Sequence, residues 1–213
     1  MLELELAERP MTNQIISITG SEPALLTKIY DAHIKICIMT RQISSEVKAY
    51  TEFLQKMHSG FELIRQISVA DLKNLLYETL PQHQLRPLFI EDVMYVGEMF
   101  SCLLDLEYVG LRFCVLNKTM CPRFHTDKVP CRLITTYGGK GTEWLDLDIS
   151  DSSYLSENNP IPNQYSNILS LSEGDIALLK GDKWQGKEGH GVIHRSPSLG
   201  LDETRLLLTL DCA

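Results

Sequence analysis

Cys121-Pro-Arg-Phe-His-Thr-Asp127 is the stretch on which the reading of this 213-residue chain turns. It holds a His-x-Asp pair, His125 and Asp127. If the pair lies on a strand, both side chains point to one face, because strand side chains alternate. A second stretch, Gly191-Val-Ile-His-Arg-Ser-Pro197, supplies another imidazole at His194. Val192, His194 and Ser196 share a face there. Two imidazoles and one carboxylate, with the other positions open, are the protein ligands of the facial-triad non-haem Fe(II) site. His125, Asp127 and His194 are therefore the candidate metal ligands and the candidate catalytic centre.

The C-terminal run Thr204-Arg-Leu-Leu-Leu-Thr-Leu-Asp211 adds a cation in phase with them. Arg205, Leu207, Thr209 and Asp211 alternate with Leu206, Leu208 and Leu210. The leucines suit packing against helices, so Arg205 is expected to point into a lumen. A guanidinium fits a bidentate grip on a carboxylate. Arg205 is thus the candidate binding residue for an acidic small-molecule co-substrate. A plain internal salt bridge, with Asp127 or Asp175, is the alternative.

Around these residues the texture of the chain divides in two. Before residue 110 it reads as mostly helical, after a short strand around Ile15, Ile16 and Ile18. Ser21-Glu-Pro opens a helix with Leu25, Leu26, Ile29 and Tyr30 on one face. Ile34, Ile36 and Ile38 alternate as a strand. Ile43, Val47, Tyr50, Leu54 and Met57 recur at helical spacing. Ser68-Val-Ala-Asp71 is a capping-box variant before Leu72, Leu75, Leu76 and Leu80. Pro87 begins a long helix to about Tyr108, striped by Ile90, Val93, Gly97, Phe100 and Leu104. From Leu111 onward, short apolar runs separated by Gly, Pro, Asn, Asp and Ser predict a β-rich half. These runs are Leu111–Leu116, Arg132–Tyr137, Asp175–Leu179, Val192–His194 and Thr204–Leu210. Residues 150–167 read as a long loop. The expected fold is α+β, one domain over 1–213: a helical support (1–110) packed on a β-barrel or sandwich (111–213).

Composition narrows the function classes. The net charge of −8 argues against a non-specific nucleic-acid binder, which needs a basic face. Hydrophobic content of 44% and charged content of 23% are ordinary for a soluble protein. No apolar run has the length of a membrane span, and the acidic start is not a secretory signal. The expected location is cytoplasmic, with no membrane or nucleic-acid partner. The six cysteines, at 37, 102, 114, 121, 131 and 212, are scattered and read as reduced thiols.

Other constellations compete. Cys121, His125, Cys131, His190 and His194 mix soft thiolates with imidazoles, which suits tetrahedral zinc. Neither cysteine spacing is a tight knuckle, and Pro122 and Pro130 flank the pair. Gly181-Asp-Lys-Trp-Gln-Gly-Lys187 begins like a phosphate loop. Glu188 then stands where a hydroxyl should meet magnesium, and no helix follows. A Cys-His hydrolase would need an activated thiol, and nothing marks Cys121 or Cys131 as one.

Phe124-His-Thr-Asp127, Tyr137-Gly-Gly-Lys-Gly-Thr-Glu-Trp144, Gly174-Asp-Ile-Ala-Leu-Leu179, His194-Arg195 and the Thr204–Leu210 run together resemble the Fe(II)/2-oxoglutarate dioxygenase superfamily. That resemblance, over roughly residues 111–213, implies a double-stranded β-helix, or cupin-like jelly roll. It also implies Fe(II) held by His125, Asp127 and His194, and the far carboxylate of 2-oxoglutarate held by Arg205. Cys-Pro-Arg-Phe-His-x-Asp and His-Arg-Ser-Pro also resemble a narrower group, the domain of unknown function 1826 family, over nearly the whole chain. This second resemblance implies a metal connection, zinc homeostasis included, without naming the metal. The expected function is an Fe(II)/2-oxoglutarate-dependent oxygenase-like metalloprotein. A cupin-like zinc protein without oxygenase activity, and an interaction module with a degenerate site, are the alternatives. The prime substrate and the oligomeric state are not legible.

Overall fold

The computed structural model describes residues 16–57, 59–146, 168–186 and 188–212. The N-terminal arm through Ile15, the expected loop 150–167 and Lys187 lie outside them.

The chain begins with β1 (Ser17–Gly20), a 3-10 helix (Pro23–Tyr30) and β2 (Ile36–Met39). Helix α1 (Ser45–Met57), strand β3 (Glu62–Ser68) and helices α2 (Val69–Thr79) and α3 (Arg86–Leu104) follow. The remainder is β: β4 (Tyr108–Leu116), β5 (Cys131–Gly138), β6 (Glu143–Leu145), β7 (Ile168–Ser170), β8 (Ile176–Lys180), β9 (His194–Arg195) and β10 (Arg205–Cys212). The protein is thus mixed α+β, with one large sheet and four helices.

Local chemistry explains the element ends. Ser68 caps α2: its hydroxyl accepts from the Asp71 amide at 3.2 Å. Helix α3 stops at Leu104, short of the expected end near Tyr108, because Asp105 takes a left-handed conformation (φ 52°) and the Leu106 amide turns back to Ser101. The first helix is a 3-10 helix whose cap residue, Glu22, makes no side-chain capping bond; Ser21 does not serve there.

The large sheet runs β1-β2-β8-β5-β10-β4-β3, and a small one runs β7-β6-β9. Three of the seven strands come from the N-terminal half, so that half is more than a helical support. Strand β3 escaped the sequence reading because Glu62-Leu-Ile-Arg-Gln-Ile-Ser68 is a sheet-edge strand with a mostly exposed face. On β10, Leu206, Leu208 and Leu210 join a core shared with the helices, including Phe89, Phe100 and Tyr50. The opposite face, with Leu207, Ile134, Ala177 and Ile38, meets Trp144 and Val192 between the two sheets. Alternation at period two therefore sorts β10 into a helix-facing and a cavity-facing side. Among the described residues, no helix is long and apolar enough to cross a membrane.

Candidate metal centre

His125 and His194 are neighbours across a single antiparallel bridge, joined by reciprocal backbone hydrogen bonds of 3.0 and 2.9 Å. Strand β9 is only two residues long, and His125 pairs there in isolation. Asp127 lies beyond the bridge, so the expected common strand for His125 and Asp127 is not what aims them together. A loop clasp does that. Asp182 accepts from Thr126 Oγ1 (2.7 Å) and from the Gly191 amide (3.2 Å), and its own amide donates to the Asp127 carbonyl (2.8 Å). The stretch that starts like a phosphate loop thus ties the two histidine-bearing segments together. Gly181 permits the approach: a Cβ there would fall 2.0 Å from the Val129 carbonyl oxygen.

The result is a cluster in which one ligand atom from each of His125, Asp127 and His194 lies within 4.8 Å of the others. Two bonds of about 2 Å to a shared ion set the same scale. Each imidazole has its Nδ1 on a backbone carbonyl, His125 on Arg123 and His194 on Val192, both at 3.0 Å. A carbonyl only accepts, so in a neutral ring Nδ1 carries the proton and Nε2 is left to meet a metal. Burial, then the neighbouring His194, pushes the His125 pKa down, which keeps the ring neutral.

Asp127 is the matching anion. Burial raises its pKa, but the adjacent His194, Arg132 and His125 outweigh burial and the net shift is downward. Its Oδ1 accepts from Arg132 Nη1 at 2.6 Å. Its Oδ2 is buried and accepts no hydrogen bond. His194 Nε2 sits 3.3 Å from that oxygen. His125 Nε2 is 3.9 Å from Oδ1. Two imidazoles and a carboxylate converging in this way fit a divalent ion.

Arg132 holds Asp127 from behind and is itself gripped twice by Asp211 of β10, at 2.6 and 2.7 Å. Neither residue was singled out in the sequence. Arg132, Ile134 and Thr136 do share the inward phase of β5, but their opposite numbers depend on the pairing of β5 with β10. Substituting Arg132 by Met is expected to weaken metal binding about 10–100-fold, the range for an outer partner of a ligand. Removing this cation also raises the Asp127 pKa. The carboxylate then protonates sooner on acidification, so metal is lost at higher pH than in the wild type. Metal retention across a pH series measures both effects.

The centre opens on a cavity of about 220 Å³, lined by Arg205, Arg112, Thr142, Leu207 and Cys121 among others. Arg205 is 1% exposed. Its Nη2 donates to Thr136 Oγ1 (3.0 Å) and Thr142 Oγ1 (2.7 Å). Gly141 lets Thr142 come this close, since a Cβ at 141 would meet the Leu171 carbonyl oxygen at 1.9 Å. Burial alone pushes the Arg205 pKa down to about 10. No described carboxylate pairs with it. Asp127 is taken by Arg132, and Asp175 accepts from the Ser172 amide, so neither acid offered by the sequence forms the salt bridge.

Other candidates fall elsewhere. Cys131 is buried on the helix-facing side, its thiol pushed well up by desolvation. Cys121 reaches the cavity wall. Neither belongs to the converged group, and nor does His190. Serine at both 121 and 131 is expected to leave bound metal unchanged by elemental analysis; a stoichiometric loss would instead favour zinc with thiolate ligands. Arg195 borders the cavity, lies 4.3 Å over the Phe124 ring and pairs with Glu143 at 2.6 Å. Trp144 and Tyr137 are core residues, and Trp184 packs at the core's margin.

Fold and site together define an α+β protein whose two sheets enclose a His-Asp-His candidate metal centre. The chain belongs to the family described as "Protein of unknown function (DUF1826)", whose model matches residues 20–211. No curated protein matches it. The structure is similar to that of a rice dioxygenase for auxin oxidation, at 14% identity and TM-score 0.52, covering 93% of this chain and 82% of that one. It is also similar to a Pseudomonas putida prolyl-4-hydroxylase, at 11% identity and TM-score 0.44, covering 89% and 96%. At such identities the rice enzyme speaks for the fold alone, and the second match carries no argument.

Proposed function

We propose that this protein is a non-haem Fe(II), 2-oxoglutarate-dependent oxygenase built on a double-stranded β-helix, acting in the cytoplasm with a small-molecule co-substrate. The observation that carries the reading is Arg205: a buried guanidinium without a carboxylate partner among the described residues, in the same cavity as the converged His125, Asp127 and His194. Leaving such a charge buried and unpaired costs roughly several kcal/mol, so a bound anion is the natural complement.

His125, Asp127 and His194 would hold the iron, which when bound supplies the redox chemistry that couples dioxygen to oxidation of the 2-oxo acid and the substrate. Arg205 would grip the distal carboxylate of 2-oxoglutarate. Thr136 and Thr142 fix its guanidinium plane by accepting from Nη2. Arg132 holds Asp127 ionised and in place. Ile134, Leu207, Trp144 and Val192 make an apolar wall that keeps bulk water from the centre.

The test is 2-oxoglutarate binding to Fe(II)-loaded protein by calorimetry, followed by oxygen consumption. Saturable binding together with turnover supports the reading. Metal binding without either leaves the second reading, a metal protein of the zinc-handling kind, which the soft Cys121 thiol on the cavity wall favours.

A further inference from the structure

Arg112 is a further cation of this cavity that the proposed chemistry does not use. It sits on β4 opposite Thr209 of β10, on the same face of the large sheet as Arg132 and Ile134. Its guanidinium is partly buried, and its one hydrogen bond is from Nη1 to the Met120 sulfur, at 3.2 Å. A thioether is a weak acceptor and leaves most of the five N–H groups of this arginine without a described protein partner. No described acid pairs with Arg112. Glu62, across on β3, lies near the Cys114 thiol at 3.8 Å and makes no ion pair with the guanidinium.

Charge balance shows what is missing. The cavity is lined by four guanidiniums, Arg112, Arg132, Arg195 and Arg205, and by one carboxylate, Asp127. Asp211 and Glu143 compensate Arg132 and Arg195 from behind. Among the four, Arg205 and Arg112 have no described carboxylate partner. The proposed 2-oxoglutarate would occupy Arg205, which leaves Arg112 as the lining guanidinium without a counter-ion among the described residues. A cavity of about 220 Å³ is below the usual range for drug-sized ligands, so the complement is small.

We propose that the prime substrate is a small molecule bearing one anionic group, a carboxylate or a phosphate-type oxyanion, which Arg112 binds. The proposal rests on the oxygenase reading for the occupant of Arg205 and goes beyond it in naming the substrate class. Arg112 acts here as a specificity residue: it selects molecules with an acid group and places the remainder toward the metal centre.

The test uses protein loaded with Zn(II), which has no redox chemistry, and saturated with 2-oxoglutarate. Acetate, benzoate, methylphosphonate and inorganic phosphate are titrated in by calorimetry. At least one is expected to bind saturably, one per protein. Arg112→Met should weaken that binding about tenfold or more, the scale for losing a desolvated charge partner, with Arg112→Lys retaining most of it. The 2-oxoglutarate affinity of Arg112→Met should stay within about twofold of wild type, and its melting temperature should confirm folding. The proposal is overturned if no probe binds the wild type, if Arg112→Met binds the probe as well as wild type does, or if it loses 2-oxoglutarate as Arg205→Met does. Failure of the wild type to bind 2-oxoglutarate at all sinks the oxygenase reading instead. The same anions titrated into the Zn(II)-loaded protein alone then decide Arg112: loss in Arg112→Met upholds the anion site, and retention removes it.

Discussion

Asp127→Ala is expected to abolish stoichiometric metal binding, and His125→Ala and His194→Ala to lower it severely, while His190→Ala leaves it intact. The loss should exceed the about 10–100-fold typical of changing a supporting contact, because a donor atom itself disappears. Asp127 is the most sensitive of the three because it brings the negative charge. Two neutral imidazoles alone hold a divalent ion weakly. The fold should survive the change, since Arg132 keeps its two hydrogen bonds to Asp211. Elemental analysis of protein purified without a metal-affinity tag reads the result directly. Full metal content in Asp127→Ala would sink the proposed centre. Equal loss from His190→Ala would transfer the site to a zinc arrangement that includes the loop.

The sequence carried the chemistry of this centre better than its construction. His125, Asp127 and His194 were nominated by residue type, and Arg205 by the alternating phase of the C-terminal run, although the strand expected to carry both His125 and Asp127 is not formed. The β10 alternation survives folding because each leucine must find the helix-facing core, and a slip by one residue would turn Arg205 into it. What the sequence hid depends on pairing between distant strands. Asp211 faces Arg132 because β10 lies antiparallel to β5, across 79 residues of separation. Thr136 and Thr142 become a cradle only once β5, β6 and β10 are side by side. Asp182 resembled part of a phosphate loop because glycine and aspartate also suit a tight clasp. Strand β3 was invisible because an edge strand with one exposed face has few apolar residues to mark its period.

Arg205→Ala is expected to weaken 2-oxoglutarate binding to the Fe(II)-loaded protein by about 2–5 kcal/mol, the cost of truncating one member of a buried charged pair. Side-chain exposure of 1% means that solvent screens the pair little. The sign of the accompanying stability change separates a binding residue from a structural one. An arginine in an internal salt bridge stabilises the ligand-free protein, and its loss leaves a buried carboxylate uncompensated, a penalty of about 3–5 kcal/mol. Arg205 has two threonine hydroxyls and no described acid, and burial depresses its pKa rather than raising it. The ligand-free protein therefore bears a desolvation cost that only a bound anion offsets. Arg205→Met, which keeps the apolar volume and removes the charge, should melt at or above the wild-type temperature without ligand. It should also lose the increase in melting temperature that 2-oxoglutarate gives the wild type. A variant that is destabilised without ligand and still gains stability from 2-oxoglutarate would make Arg205 a strut of the barrel. The co-substrate would then have to be held elsewhere in the cavity.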